Sequence, residues 1–184
     1  MLGRLLELLN EQDVKYIRNF KTSLISTIGI GETCAVVIYP KNVDELINVL
    51  NFIIENKIEY KIIGRMSNVL GRDSFYEGVL ILTTDIKSFE FRDGFVNAEA
   101  GVMFSSLLKR LAVQNLGGAS ELFGIPGTLG GMIYSNAGAF GKEISDFVAS
   151  VVAYDIEERK IKEFSKEELC FSYEYPIQYS AQRK

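Results

Sequence analysis

Six of the 18 residues from Gly124 to Gly141 are glycine, and this density constrains the fold more than any other feature of the chain. Glycine loses the most conformational freedom on folding, so a dense run indicates backbone with positive φ or backbone close to another group. Apolar residues such as Ile125 and Leu129 alternate with these glycines, which is unlike a flexible linker. Two interpretations follow from the residues alone: tight turns packed in a core, or a backbone wall beside a large cofactor.

The composition of the 184 residues is that of one globular domain or two small ones. A net charge of −4 argues against a nucleic-acid partner, which would need a basic surface. No apolar run approaches the roughly 20 residues of a membrane helix, and Glu7 among the first leucines indicates an amphipathic helix and not a signal peptide. We therefore expect a cytoplasmic protein without a membrane partner.

The chain contains no histidine. This excludes Ser-His-Asp catalysis and ordinary histidine-bearing zinc sites, and it leaves no residue for a cofactor bond through histidine. Cys34 and Cys170 match no metal or redox spacing, and we predict both to be reduced thiols in the core. A cofactor would accordingly be held without a covalent bond, or less favourably through one of these cysteines.

Hydrophobic patterning predicts an α+β fold whose first part is a βαβ unit. An N-terminal helix is expected over residues 2–12, and a strand rich in β-branched residues over 33–39. Asn42 is a good N-cap and Glu45 stands at the reciprocal capping position, so a helix is predicted to about residue 56. A second strand over 58–63 completes the unit, with a parallel pair expected between the two strands.

The second part is predicted to be a mixed or antiparallel sheet with flanking helices. A short strand near residue 80 leads to a hairpin, then to a helix capped by Ser105 or Ser106, then to a second hairpin. Ser165 with Glu168 predicts a further short helix. The change of pattern suggests two closely packed subdomains, residues 1–84 and 85–184.

The loop Gly64-Arg65-Met66-Ser67-Asn68-Val69-Leu70 leaves the predicted strand at its carboxyl end. Ligands of α/β proteins bind at such ends. Backbone amides in a turn of this kind can surround a pyrophosphate, and the Arg65 guanidinium can pair with phosphate.

The segment GIPGTLGGMIYSNAGAFGKEI, which begins at Gly124, resembles the most specific motif of the bacterial UDP-N-acetylenolpyruvoylglucosamine reductases, also called UDP-N-acetylmuramate dehydrogenases. The likeness runs from about Asn19 to about Tyr173 and includes the Ser67-Asn68 loop. It implies an FAD-binding fold, non-covalent FAD and NADPH as the reductant. Because both segments line FAD in that family, it implies cofactor contacts from Gly64, Arg65, Met66, Ser67, Asn68, Val69, Leu70, Gly124, Ile125, Pro126, Gly127, Thr128, Gly130, Gly131, Asn136, Ala137 and Gly138.

The resemblance also implies a reaction, the reduction of UDP-N-acetylglucosamine enolpyruvate to UDP-N-acetylmuramate in peptidoglycan synthesis. The family's Phe-x-Tyr-Arg motif is matched by Phe171-Ser172-Tyr173, but Glu174 stands at the arginine position. The family has a third, substrate-binding domain that carries catalytic residues, and we expect this domain to be absent from residues 1–184. No catalytic residue is therefore assigned.

Three hypotheses stay open at this point. The chain is either the FAD-binding part of such a reductase, which would bind its UDP-sugar once a third domain is supplied, or a catalytically incomplete flavin-binding module. An FAD oxidase of the covalent-flavin class is disfavoured by the absence of histidine. An uncovered apolar surface would favour self-association.

Overall fold

The computed structural model describes residues 1–71, 74–92 and 94–172. Tyr173 and Glu174, which were compared with the reductase motif, lie outside these residues. No helix in the described part of the chain is long and apolar enough to cross a membrane.

A four-stranded sheet forms the first half of the fold. Its strands are β1 (Lys15–Lys21), β2 (Thr33–Tyr39), β3 (Tyr60–Ile63) and β4 (Phe75–Leu82), in the spatial order β1-β2-β4-β3. The edge strand β1 is antiparallel to β2, while β2 and β3 both run parallel to β4. The strands of the predicted βαβ unit are therefore parallel but not adjacent, because β4 is inserted between them. Strand β1 was not predicted.

Helices α1 (Leu2–Glu11) and α2 (Val43–Glu55) cover one face of this sheet. Leu5 and Leu9 of α1 are fully buried, as are Val49 and Ile53 of α2. The opposite face of the sheet carries a second apolar cluster, formed by Cys34, Val37, Leu80 and Leu82. Strand β2 is thus buried on both faces, which explains its continuous apolar sequence.

Asn42 caps α2 as predicted: its side chain accepts a hydrogen bond from Glu45 N at 2.8 Å. The Glu45 carboxylate accepts from Lys41 N at 3.0 Å. We expect Asn42→Ala to lower the free energy of unfolding by about 1 kcal/mol, because one helix N–H loses its acceptor. Urea denaturation measures this. Asn48→Ala, an exposed position inside the same helix, is the matched control and should instead add about 0.5 kcal/mol, since alanine is the better helix former; equal losses in both variants would contradict the capping role.

Among the residues that the structure describes, the second half contains two α-helices and three hairpins, and a third apolar cluster lies between the helices and the first two hairpins. The elements are β5 (Phe89–Arg92), β6 (Phe95–Ala98), α3 (Phe104–Val113), α4 (Leu129–Ser135), β7 (Gly138–Ala139), β8 (Lys142–Glu143), β9 (Ser150–Asp155) and β10 (Lys160–Ser165). Both predicted hairpins are confirmed, as β5–β6 and β9–β10. The cluster contains Phe104 and Leu107 of α3 and Met132 of α4.

Three local predictions differ from the structure. Helix α3 begins at Phe104 with Met103 as its N-cap, so Ser105 and Ser106 lie inside the first turn and cap nothing. Ser165 and Glu168 do exchange their capping-box hydrogen bonds, but residues 166–170 form turns and not a helix. Helix α4 lies inside the glycine-rich segment, where no helix was predicted.

The β9–β10 hairpin returns to the first half of the fold. Tyr154 Oη donates to Asn51 Oδ1 at 2.7 Å, and Arg159 Nη1 lies 2.5 Å from Glu55 Oε1, both on α2. The core clusters separate near Thr83–Asp85, close to the predicted boundary at residue 84. The division into residues 1–84 and 85–184 stays a prediction, and this hairpin makes contacts across it.

The two cysteines occupy different environments. Cys34 is fully buried, its Sγ donates to Val36 O at 3.1 Å, and burial raises the pKa of its thiol. Cys170 is exposed, so its predicted place in the core is wrong. We expect one thiol to react rapidly with 5,5′-dithiobis(2-nitrobenzoate) in the native protein and two after denaturation, because the thiolate is the reactive form and Cys34 is shielded. Cys170→Ser should abolish the rapid phase; a rapid phase that survives would show that Cys34 is accessible.

Candidate cofactor-binding site

A cavity of about 660 Å³ opens at the carboxyl ends of the parallel strands. Tyr39 ends β2, Leu82 ends β4 and Gly64 follows β3, and all three line it. The first turn of α3 closes the other side through Met103 and Ser106. The remaining lining residues are Leu24, Ile25, Ser26, Thr27, Arg65, Thr84, Lys87, Phe89, Gly101 and Val102. Both the position and the volume are typical of a ligand site in a protein with parallel strands.

The charged residues of the cavity lining, Arg65 and Lys87, are both cationic. Arg65 Nη1 lies 3.9 Å from Met103 Sδ and forms no ion pair with any residue that the structure describes. Lys87 Nζ is 3.8 Å from Asp85, which also faces Lys15. The N-terminus of α3 adds the positive end of a helix dipole. This wall favours an anionic ligand.

The two predicted segments meet beside this cavity. A Cβ built on Gly64 would lie 2.2 Å from Thr128 Oγ1, so the two residues are in direct contact. A Cβ on Gly127, whose φ is +154°, would lie 3.2 Å from Ser67 Oγ. The loop after β3 and the start of the glycine-rich segment therefore form one continuous structure, although they are some 60 residues apart in sequence.

The glycine-rich segment lies directly behind the cavity wall. Gly127 O accepts a hydrogen bond from Phe104 N at 3.1 Å, and Leu129 N donates to Val102 O at 2.8 Å. Gly130 N donates to Ala100 O at 2.8 Å, and a Cβ on Gly130 would lie 2.7 Å from the Ala100 Cβ. The absence of a side chain at Gly130 is thus explained by close contact within the protein. Gly130 reflects close packing inside the protein, although it lies in α4 and not in a turn.

Of the residues predicted from the loop, Gly64 and Arg65 line the cavity. Met66 has a left-handed backbone with φ +52°, yet its side chain is only 2% exposed and so is turned into the protein. A ligand approaching the loop from solvent would consequently meet its backbone and not this side chain. Ser67 is half-buried beside Gly127, while Asn68, Val69 and Leu70 are exposed, as is Arg65.

The predicted residues of the glycine-rich segment do not line the cavity itself. Thr128 is buried and caps α4, accepting from Gly131 N at 3.4 Å. Asn136 is buried and ends α4 with φ +46°. The others are Gly124, Pro126 and Gly131, which are exposed, the buried Gly127, and the half-buried Ile125, Gly130, Ala137 and Gly138. Their contacts with a cofactor stay a prediction.

Several cavity residues were missed from the sequence. Tyr39 and Leu82 end predicted strands. Both could have been predicted as site residues, because ligands bind at the carboxyl ends of parallel strands. Lys87, Gly101 and Met103 reach the cavity only through packing between the two halves of the fold, and no local pattern marks them.

Residues 34–162 match the family described as the FAD binding domain. The chain belongs to this family. It is 34% identical over 167 residues to a UDP-N-acetylenolpyruvoylglucosamine reductase of Caldicellulosiruptor saccharolyticus, an alignment that covers 91% of this chain and 54% of the relative. It is 41% identical over 150 residues to the same enzyme of Carboxydothermus hydrogenoformans, covering 80% and 49%.

The fold comparison agrees with the sequence comparison. The crystal structure of UDP-N-acetylenolpyruvylglucosamine reductase from Thermus caldophilus superposes with a TM-score of 0.72 at 24% identity, covering 91% of this chain and 58% of that one. A solvent-stable cholesterol oxidase shares the fold with a TM-score of 0.60 at 21% identity, over 84% and 34%. The predicted α+β FAD-binding fold and the resemblance to the reductases are confirmed. The chain spans about half the length of the curated relatives it matches, and it corresponds to their FAD-binding portion.

Proposed function

We propose that this chain binds FAD without a covalent bond and acts as the FAD-binding portion of a UDP-N-acetylenolpyruvoylglucosamine reductase. One observation carries the proposal: the two family segments meet, at Gly64 and Thr128, beside a large cavity lined by two cationic side chains. The fold places this cavity where parallel strands end, which suits a phosphate-bearing ligand.

The residues present fit FAD. Arg65 and Lys87 would offset the charge of the diphosphate, and the backbone of the Gly64 loop would approach it closely because Met66 is turned inward. Apolar side chains such as Leu24 and Phe89 offer a surface for a ring system. Neither Cys34 nor Cys170 lines the cavity, which supports non-covalent attachment.

When bound, FAD would supply the hydride chemistry, taking a hydride from NADPH and passing it to the enolpyruvyl double bond of the UDP-sugar. In this chain, the residues around the cavity would bind and orient the cofactor. The UDP-sugar substrate, the use of NADPH and a cytoplasmic location are proposals that rest on the relatives' names and on the reaction these imply.

The proposal is tested by adding FAD to the purified chain and separating free flavin by gel filtration. We expect a flavin absorbance band that stays with the protein. Riboflavin, which lacks the phosphates, is the matched control ligand, and it should be retained far less if the cationic lining matters. A protein that stays colourless in excess FAD would overturn the proposal.

Self-association also stays a prediction. Large apolar side chains are exposed on the second half of the fold, including Phe123, Tyr134 and Phe140. Sedimentation velocity at increasing concentration tests it, and a monomer throughout would contradict it.

A further inference from the structure

A group of hydrogen-bonded side chains closes the C-terminal end of α4. Asn136 Nδ2 donates to Glu143 Oε2 at 2.5 Å, and Asn136 Oδ1 accepts from Ser145 N at 3.3 Å. Ser145 Oγ donates to the same Glu143 oxygen at 3.4 Å. Asn136 and Ser145 are 1% and 6% exposed. Both ends of the Asn136 amide are therefore satisfied inside the protein, and the Glu143 carboxylate is the acceptor on which the group converges.

This group controls the course of the backbone after α4. Asn136 ends the helix in the left-handed conformation, with φ +46°, which Asn tolerates better than most residues that carry a Cβ. Ala137 N then donates to Met132 O at 2.9 Å, and Ile144 N donates to Ala137 O at 2.9 Å. Gly138 pairs with Glu143 in the short β7–β8 hairpin. The path of Asn136–Gly138 thus depends on residues 143–145.

We propose that Glu143 is a positioning residue for the cofactor. Through Asn136, its carboxylate holds the segment Asn136–Gly138 in the conformation in which that segment contacts FAD. This inference rests on the proposed function, because the cofactor contacts of the segment come from the resemblance. Without the carboxylate, the buried Asn136 amide and Ser145 hydroxyl would lose the acceptor that they share, and the segment would have to rearrange to satisfy them.

The test compares Glu143→Ala, Glu143→Gln and the control Glu163→Ala. Glu163 is also a hydrogen-bonded carboxylate, accepting from Ser150 Oγ at 2.6 Å, but it lies on the exposed β9–β10 hairpin. Two quantities are measured: the Kd for FAD from flavin fluorescence, and the hydrogen exchange of the Ile144 amide in the FAD-free protein. The second reports the position of the segment without any cofactor.

We expect Glu143→Ala to weaken FAD binding about tenfold and to speed exchange at Ile144. Glu143→Gln should restore most of the affinity, because its amide oxygen can still accept from Asn136. Glu163→Ala should change neither quantity. If Glu143→Ala does not fold, Glu143→Asp is used in its place. The aspartate keeps a carboxylate, but its side chain is one methylene shorter and lies further from Asn136.

Each contrary result has a distinct meaning. Unchanged exchange in Glu143→Ala would show that the carboxylate does not hold the segment. Faster exchange with unchanged FAD affinity would show that the held segment does not serve the cofactor. If Glu143→Gln binds FAD as weakly as Glu143→Ala, the negative charge of Glu143 would matter and not its hydrogen bond to Asn136, which would contradict the positioning role. If the wild-type chain binds no FAD while exchange still responds, the proposed function fails and Glu143 keeps a structural role alone.

Discussion

Gly101→Ala is expected to lower the free energy of unfolding by about 3 kcal/mol, at the upper end of ordinary overpacking effects. A Cβ at this position would lie 1.9 Å from Thr83 O and 2.5 Å from Ile86 O. Both atoms belong to the backbone, so no side-chain rotation relieves the contact. Gly101 N also donates to Ile86 O at 2.8 Å, so the two segments cannot separate without losing that bond. The clash therefore affects the connection between the two halves of the fold.

Urea denaturation of the FAD-free protein measures this effect. Gly117→Ala is the matched control, because a Cβ there meets no atom within 4 Å and the residue does not have positive φ. We expect the control to lie within about 0.5 kcal/mol of wild type, as is usual for surface substitutions. Equal stability of the two variants would mean that the segments at Gly101 are further apart in solution.

Most local elements could be predicted from the sequence because their signals are local. Asn42 and Glu45 mark the start of α2, and the turn at Gly94 marks the β5–β6 hairpin. Helix α4 shows the opposite case. Thr128 and Asn136 are a good N-cap and a good left-handed C-cap, but two glycines between them concealed the helix.

The arrangement of the strands depends on contacts distant in sequence. Nothing in residues 33–63 indicates that β4 is inserted between β2 and β3, because this is decided by how strands from separate parts of the chain pair. Ser165 and Glu168 form a capping box without a helix, so a local signal can be satisfied while the element it usually begins is missing. The intrinsic preference of a segment for helix or strand is a weak constraint, and tertiary packing overrides it.

The candidate site likewise has features that the sequence predicted and features that only tertiary packing determines. The contact between the Gly64 loop and Thr128 agrees with the resemblance, which placed both segments on one cofactor. The cavity lining could not be predicted in this way, since Lys87 and Met103 carry no motif and reach the cavity through tertiary packing. Conversely, the resemblance assigned Asn136 to the cofactor, whereas the structure shows its buried side-chain amide hydrogen-bonded to Glu143 and Ser145.

Ser106→Asp is expected to weaken FAD binding about tenfold while leaving the folded chain as stable or more so. Ser106 is exposed, lines the cavity and lies in the first turn of α3. A carboxylate in that turn interacts favourably with the helix dipole, by about 0.3–1 kcal/mol. The same carboxylate would face a diphosphate across the cavity and repel it. Stability and affinity therefore change in opposite directions, which a general loss of structure cannot produce.

Fluorescence titration with FAD and urea denaturation of the same samples separate the two effects. Ser106→Lys is the matched variant of opposite charge: it should bind FAD more tightly than Ser106→Asp and be slightly less stable. The difference in affinity between the two should shrink as salt is raised from 0.01 to 1 M, because the screening length falls from about 30 to about 3 Å. Equal affinities at low salt would place the phosphates of FAD away from α3, and the anion-binding part of the site would then have to be sought along the Gly64 loop alone.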